Sequence, residues 1–231
     1  MNCTAIVLAA GQGKRMKSKI QKQFLLLKGK PVLFYSISCF EKSSEIDDII
    51  IVTGAESVEY VKREIVEPFG FQKVKAVVTG GKERYDSVYE GLKACQNCDY
   101  VFIHDGARPF VTEEMIERGK KAVIAGGACV LGVPSKDTVK ITDEEGFVES
   151  TPKRARVWNI QTPQIFSYPE IYSAYQKAKQ EGMQGITDDA MVVELMTDTK
   201  VKFIEGSYSN IKVTTPEDMI IAEALCAHRV Q

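Results

Sequence analysis

The stretch Ala5-Ile6-Val7-Leu8-Ala9-Ala10-Gly11-Gln12-Gly13-Lys14-Arg15-Met16 decides the fold. An apolar run with no polar alternation reads as a strand buried on both faces, and a glycine-rich, basic turn follows it directly. Strands of that kind belong to parallel sheets covered by helices, so strand-like and helix-like segments should alternate along the chain. They do. Apolar runs at residues 5–8, 49–52, 74–78, 100–103 and 128–133 are separated by amphipathic patterns at 32–40, 57–66, 87–93 and 113–125. The expected fold class is α/β: a doubly wound, mostly parallel sheet with helices on both faces.

Local signals agree with this reading. Pro31 opens the first helix where a missing N–H costs nothing, and Thr112 is a suitable N-cap for the helix at 113–125. After Pro134 the pattern changes: residues 138–142 alternate with period two, Asp143-Glu144-Glu145-Gly146 signals a turn, and Phe147-Val148 begins a return strand. A β-hairpin arm is expected there. Helical patterns resume at 169–180 and 188–196, and short strands are expected at 201–204 and 211–213. Thr215, Pro216, Glu217 and Asp218 carry the start signals of a last helix.

Composition narrows the function classes. The 231 residues are 44% hydrophobic and 26% charged with a formal net charge of −1, an ordinary soluble balance without the basic excess of a nucleic-acid binder. The opening apolar run is too short for a signal peptide or a membrane span, so a cytoplasmic protein is expected. Among six cysteines, Cys95-Gln96-Asn97-Cys98 has CxxC spacing. It lacks the second pair a zinc site would need and follows a helix rather than opening one, so it reads as a helix-ending turn.

The chemistry sits at strand ends. In a doubly wound sheet, ligands bind beyond the C-terminal edge of the strands, where the turn Gly11–Met16 falls. It matches neither the dinucleotide fingerprint nor a Walker loop. With Lys14, Arg15 and Lys22 it suits a triphosphate. Asp105 follows the apolar run at 100–103 and falls on the same edge, where a single carboxylate with phosphate oxygens and water can hold Mg2+ or another divalent cation. The chain has only His104 and His228, and His104 reads as a packed strand residue. A nucleophilic alcohol would need a general base, but a phosphate monoester, largely dianionic at neutral pH, would not. A basic site without a histidine base therefore fits attack of one phosphate on another, where alignment and charge neutralisation do the catalysis.

Residues 9–16, Lys22-Gln23-Phe24, Gly80-Gly81-Lys82-Glu83-Arg84, residues 104–109, Lys136-Asp137-Thr138, Gln161-Thr162-Pro163-Gln164, Thr187-Asp188-Asp189 and Asn210-Ile211-Lys212-Val213-Thr214 together resemble the 2-C-methyl-D-erythritol 4-phosphate cytidylyltransferases, in order and nearly end to end. The resemblance implies transfer of CMP from CTP to the polyol phosphate, with release of pyrophosphate, in non-mevalonate isoprenoid biosynthesis. It also implies a nucleotidyltransferase-like form of the α/β fold. No repeat or linker interrupts the chain, so a single domain over 1–231 with a β-arm at about 137–157 is expected; Val139, Ile141, Phe147 and Val148 on that arm need a cover, so a homodimer through it is expected. Arg15, Lys22, Arg154 and Lys212 take the catalytic positions; Ala10, Gly11, Gly13, Gly81, Lys82 and Ser87 take the nucleotide-binding ones. Asp105, Arg108, Thr138, Arg154, Thr187 and Lys212 match the substrate-binding positions, and Asp105 the metal ligand. Gln21 stands where the family commonly has proline, and Lys82 where an acid is frequent. A pentitol-phosphate (ribitol 5-phosphate type) cytidylyltransferase shares the fold and most of the motifs, though Ala9-Ala10-Gly11 and Gly106-Ala107 favour the methylerythritol enzymes. A non-catalytic nucleotide-binding module is the alternative of a different class; Arg15, Lys22 and Lys212 speak against it.

Overall fold

The computed structural model describes residues 1–11, 13, 16 and 20–229. Its centre is a seven-stranded sheet in the order β11-β7-β10-β6-β1-β4-β5. The opening run forms β1 (Cys3–Ala9), which pairs in parallel with β4 (Asp48–Thr53) on one side and β6 (Tyr100–Asp105) on the other. Between β1 and β4 lie a small antiparallel pair, β2 (Leu26–Leu27) with β3 (Lys30–Pro31), and helix α1 (Val32–Lys42). The chain then steps outward to β5 (Val74–Thr79), crosses back through α4 (Arg84–Ala94) to β6, and continues through α5 (Glu113–Gly126) to β7 (Ala128–Pro134). The winding direction therefore reverses at β1, opening a crevice at the C-terminal ends of β1 and β6.

Alternation of side chains along the strands splits the core in two. Ala5, Val7, Ile49, Ile51 and Phe102 pack with α1 and α5 on one face, whereas Ile6, Ile50, Val52, Val101 and Ile103 pack with α4, α6 (Tyr168–Gln180) and α7 (Asp189–Met196) on the other. A third cluster, with Leu27, Val32, Phe110 and Val213, seats the last helix α8 (Pro216–Arg229).

The structure corrects several expectations. Residues 158–167, unassigned from the sequence, form the ten-residue strand β10 (Trp158–Ser167), antiparallel to both β6 and β7. The register shifts between Ile160 and Gln164, and the Thr162–Pro163 peptide bond there is cis. The irregularity explains how a proline is tolerated inside a sheet. Residues 211–213, expected as a strand, pair with none; Val213 donates its N–H to the Ala107 carbonyl, and its side chain is buried in the third cluster. The helix expected at 57–66 runs on to Phe69 as α2 (Val58–Val61), a π-helical turn (Lys62–Val66) and α3 (Glu67–Phe69). Pro68 cannot donate a regular helical bond to Glu64, and the altered turn precedes it. The hairpin pairs only β8 (Ile141–Thr142) with β9 (Val148–Ser150), and β11 (Lys202–Glu205) lies parallel to β7 at the sheet edge. Thr112 accepts the Met115 N–H as expected, and Cys95 ends α4 as a C-cap. No described helix is long and apolar enough to cross a membrane.

Candidate active site

The crevice is a cleft of ≈ 710 Å³. Ala10, Gly11, Gly13, Lys22, Gly81, Lys82, Ser87, Asp105 and Lys212 all line it, so nine of the expected residues converge although they span almost the whole chain. Arg15 lies outside the described residues, as does Lys14.

The glycine turn after β1 is held from below. The buried Gln23 amide donates to the carbonyls of Ala9 (2.5 Å) and Gly11 (3.2 Å). Gly13 has φ +64°, a left-handed conformation that costs other residues strain. Gln21 hydrogen-bonds Glu56 at 2.9 Å, tying the segment that carries Lys22 to the loop after β4. On the opposite wall, the Ser87 hydroxyl accepts the Gly81 N–H (3.2 Å) and donates to the Glu83 carbonyl (3.1 Å). Ser87 thus shapes the loop before α4. A Cβ at Gly81 would overlap the Asp86 Cβ, so this loop can sit against α4 only with glycine there.

Asp105, the last residue of β6, is the electrostatic centre. Its Oδ1 accepts from Arg84 Nε at 3.2 Å, its Oδ2 from Lys212 Nζ at 2.8 Å, and Arg108 Nε lies 3.7 Å from Oδ2. Burial alone would raise its pKa, but Arg84, Lys212 and Arg108 outweigh that and hold it far below the usual carboxylate range. Arg108 is itself fixed by a 2.8 Å bond to the Asn210 carbonyl. Arg84 also grips the fully buried Asp189 with both terminal nitrogens, at 2.9 and 2.8 Å. Burial opposes its charge, yet Asp189 and Asp105 raise its pKa well above the ordinary value. Around Asp105 three cations stand against two carboxylates; Lys22 and Lys82 in the cleft are matched in number by Glu56 and Glu83, so the positive excess is centred on Asp105, which suits a polyanionic ligand.

His104 is buried. Its Nε2 lies 3.1 Å from the Arg108 carbonyl and its Nδ1 3.1 Å from Thr162 Oγ1, which also accepts the Asp105 N–H at 3.0 Å. The carbonyl can only accept, so Nε2 carries the proton and the Thr162 hydroxyl donates to Nδ1. Burial draws the His104 pKa down to about 4. It is a neutral strut, as the sequence suggested.

Not all expected residues gather here. Thr138 and Arg154 are exposed near the β8–β9 pair, Arg154 in a 3-10 turn (Arg154–Arg156), and neither lines the cleft. Thr187 lies in the exposed segment before α7. Arg108 reaches the site through Asp105. Conversely, Arg84, Asp189 and Gln23 hold the site together, and sequence reasoning assigned them no role. Among the described residues, no group of three or more His, Cys, Asp or Glu side chains is arranged to hold a metal. Asp105 offers one carboxylate at the cleft, which fits a divalent cation only if phosphate oxygens and water complete its shell.

A doubly wound sheet whose switch-point crevice joins a glycine turn, a strand-end aspartate and converging cations defines a nucleotidyltransferase-like protein. The comparisons narrow this to a family. The family model of 2-C-methyl-D-erythritol 4-phosphate cytidylyltransferase (IspD) matches residues 3–228, and the chain belongs to that family. It is 51% identical over 222 residues to the 2-C-methyl-D-erythritol 4-phosphate cytidylyltransferase of Lachnoclostridium phytofermentans, covering 96% of this chain and 95% of that one. The Clostridium kluyveri protein of the same name is 50% identical, with 95% and 94% covered. The crystal structure of 4-diphosphocytidyl-2C-methyl-D-erythritol synthase from Anaerococcus prevotii matches with a TM-score of 0.87 at 37% identity, covering 98% of this chain and 96% of that one.

Proposed function

We propose that the protein transfers CMP from CTP to 2-C-methyl-D-erythritol 4-phosphate, releasing pyrophosphate, in isoprenoid biosynthesis. The observation that carries this reading is the convergence of the glycine turn, Lys22, Asp105 and Lys212 in one cleft, in a chain about half identical to relatives bearing that name.

The nucleotide's phosphates lie along the turn from Ala10 to Gly13, and its base sits near Gly81 and Lys82. A phosphate oxygen of the polyol attacks the α-phosphorus in line; a new P–O bond forms as the bond to the bridging oxygen breaks, and pyrophosphate leaves. Lys22, with Arg15 as the resemblance implies, stabilises the charge that spreads over the equatorial oxygens of the α-phosphate. Arg154 and Lys212 orient the incoming phosphate for attack, with Arg108, Thr138 and Thr187 around it. No general base is needed, because the attacking group is already ionised. His104, buried and bonded through both nitrogens, is not called upon. Asp105 would hold a divalent cation such as Mg2+, which would neutralise phosphate charge.

The working form is a homodimer through the β8–β9 arm. Phe147, Val148 and Ile141 are 68, 57 and 48% exposed on a two-stranded pair that buries little of its own surface. A symmetric partner would cover them and could bring Arg154 to the neighbouring cleft.

Pyrophosphate release tests the reaction. With CTP and 2-C-methyl-D-erythritol 4-phosphate, kcat/KM should exceed that with ribitol 5-phosphate at least about tenfold, a difference of about 1.4 kcal/mol in transition-state binding. Preference for the pentitol phosphate would make the protein a pentitol-phosphate cytidylyltransferase, and no release with either would leave a nucleotide-binding module.

A further inference from the structure

We propose that Arg84, held by Asp189, is a positioning residue that fixes the orientation of the Asp105 carboxylate for the nucleotidyl transfer, an inference that rests on the role given to Asp105 above. All three guanidinium nitrogens of Arg84 are engaged. Nε is on Asp105 Oδ1, Nη1 on Asp189 Oδ1 and Nη2 on Asp189 Oδ2. A planar guanidinium bridging two carboxylates transmits the position of one to the other, which a single-point ammonium cannot do.

The anchor is itself built into the sheet. The Asp189 carboxylate accepts a third bond, at Oδ1 from the buried Tyr175 hydroxyl (2.6 Å). The N–H groups of Asp189 and Ala190 both donate to Gln164 Oε1, at 2.9 and 3.0 Å, and Gln164 Nε2 donates to the α7 N-cap Asp188 at 2.9 Å. Gln164 lies on β10, opposite Ile103 of β6. Two residues earlier on the same strand, Thr162 accepts the N–H of Asp105. One strand therefore holds the backbone of Asp105 through Thr162 and the anchor of Arg84 through Gln164, and Arg84 closes the circuit at Oδ1. Oδ2 is left to face Lys212 and the cleft. A carboxylate free to rotate could present either oxygen; this one presents a defined atom. The same circuit accounts for Gln161-Thr162-Pro163-Gln164 and Thr187-Asp188-Asp189, whose Gln164, Thr162 and Asp189 do not line the cleft.

The test compares Arg84→Lys, Asp189→Asn and a Tyr168→Phe control, whose hydroxyl bonds the Leu92 carbonyl on the same side of the sheet. Arg84→Lys keeps the charge and loses the fork. Its kcat should fall about tenfold or more with the KM for CTP moving less than about threefold, and Asp189→Asn should fall in the same direction. Tyr168→Phe should lose thermal stability and keep kcat. In an Asp105→Asn background, Arg84→Lys should add less than about threefold, because the residue it positions is already changed. If folded Arg84→Lys and Asp189→Asn keep kcat within about twofold, or if the Arg84→Lys loss is undiminished in the Asp105→Asn background, the positioning role is wrong. Should Arg84→Lys fail to fold, Asp189→Asn decides. A second measurement stands apart from the assumed substrates: the carbon-13 resonance of the Asp105 carboxyl, assigned by its loss in Asp105→Asn, should move in both variants and stay put in Tyr168→Phe. An unmoved resonance overturns the clamp whatever the substrate. A moved resonance in a protein that releases no pyrophosphate from CTP and the polyol phosphate keeps the clamp and overturns the proposed reaction instead.

Discussion

Lowering the pH from neutrality should destabilise this fold through one buried imidazole. His104 is packed edge-on to Phe40 in the core, bonded to the Arg108 carbonyl and the Thr162 hydroxyl. Burial lowers its pKa from 6.5 to about 4. The unfolded chain takes up a proton near pH 6.5 and the folded chain only near pH 4, so between those values the unfolded state binds more protons. The contribution of the neutral imidazole is fully present above pH 6.5 and is lost as the pH falls toward 4. At about 1.4 kcal/mol per pH unit, that interval is worth on the order of 3 kcal/mol, a large part of the stability of a typical domain. Carboxylates titrate nearby in pH, so the measurement must isolate the histidine. Urea unfolding of the wild type and of His104→Gln, whose amide can still donate toward the Arg108 carbonyl, should be compared at several pH values between about 7.5 and 4.5. The wild type should lead at the upper end, and its lead should shrink by about 2 kcal/mol or more across the range. A stability difference that stays constant with pH would refute the reasoning, because it would mean that His104 titrates alike in both states.

Other expectations concern the cleft. Lys22→Ala should lower kcat by roughly 10²–10³-fold with a smaller change in the KM for CTP, since its contact is strongest in the transition state; a kcat within about threefold of wild type, measured by pyrophosphate release, would remove it from the mechanism. Asp105→Asn should lose most activity and regain part of it at raised magnesium, and a magnesium titration with an unchanged midpoint would count against its metal role. Arg154→Ala and Lys212→Ala proteins should each be nearly inactive, yet after mixing and subunit exchange should recover up to about one quarter of wild-type activity, because each mixed dimer has one intact site. Confirmed exchange without recovery would put Arg154 in its own subunit or outside the site.

Much of the fold was legible because it rests on period and punctuation. Uninterrupted apolar runs gave the parallel strands β1, β4, β5, β6 and β7, and the Thr112 cap marks where α5 begins. Strand β10 escaped because its centre is polar. Gln161, Thr162 and Gln164 are buried, but their side chains are spent on hydrogen bonds, Gln161 to the loop at Ser207, Thr162 to the end of β6 and Gln164 to the start of α7, so hydrophobic pattern cannot see them. The segment at 211–213 misled for the opposite reason: its apolar residues pack beneath α8 with no strand alongside.

The site divides in the same way. Asp105 stood out because a carboxylate terminates an apolar strand at the ligand edge, and the glycine turn because no packing need explains it. Lys212 could be found only by resemblance, since nothing local distinguishes it from a surface lysine until its bond to Asp105 is seen. Asp189 was camouflaged: an acid in the first turn of α7 is what the helix dipole favours anyway, so the residue looks like ordinary capping. Arg84 did leave a signal. It is the first residue of α4, where a cation opposes the same dipole, and the capping box of Glu83 and Asp86 already satisfies that terminus. A charge placed against its local preference needs a reason from elsewhere in the chain. For Arg84 the reason is a pair of carboxylates, Asp105 and Asp189, 21 and 105 residues away in sequence.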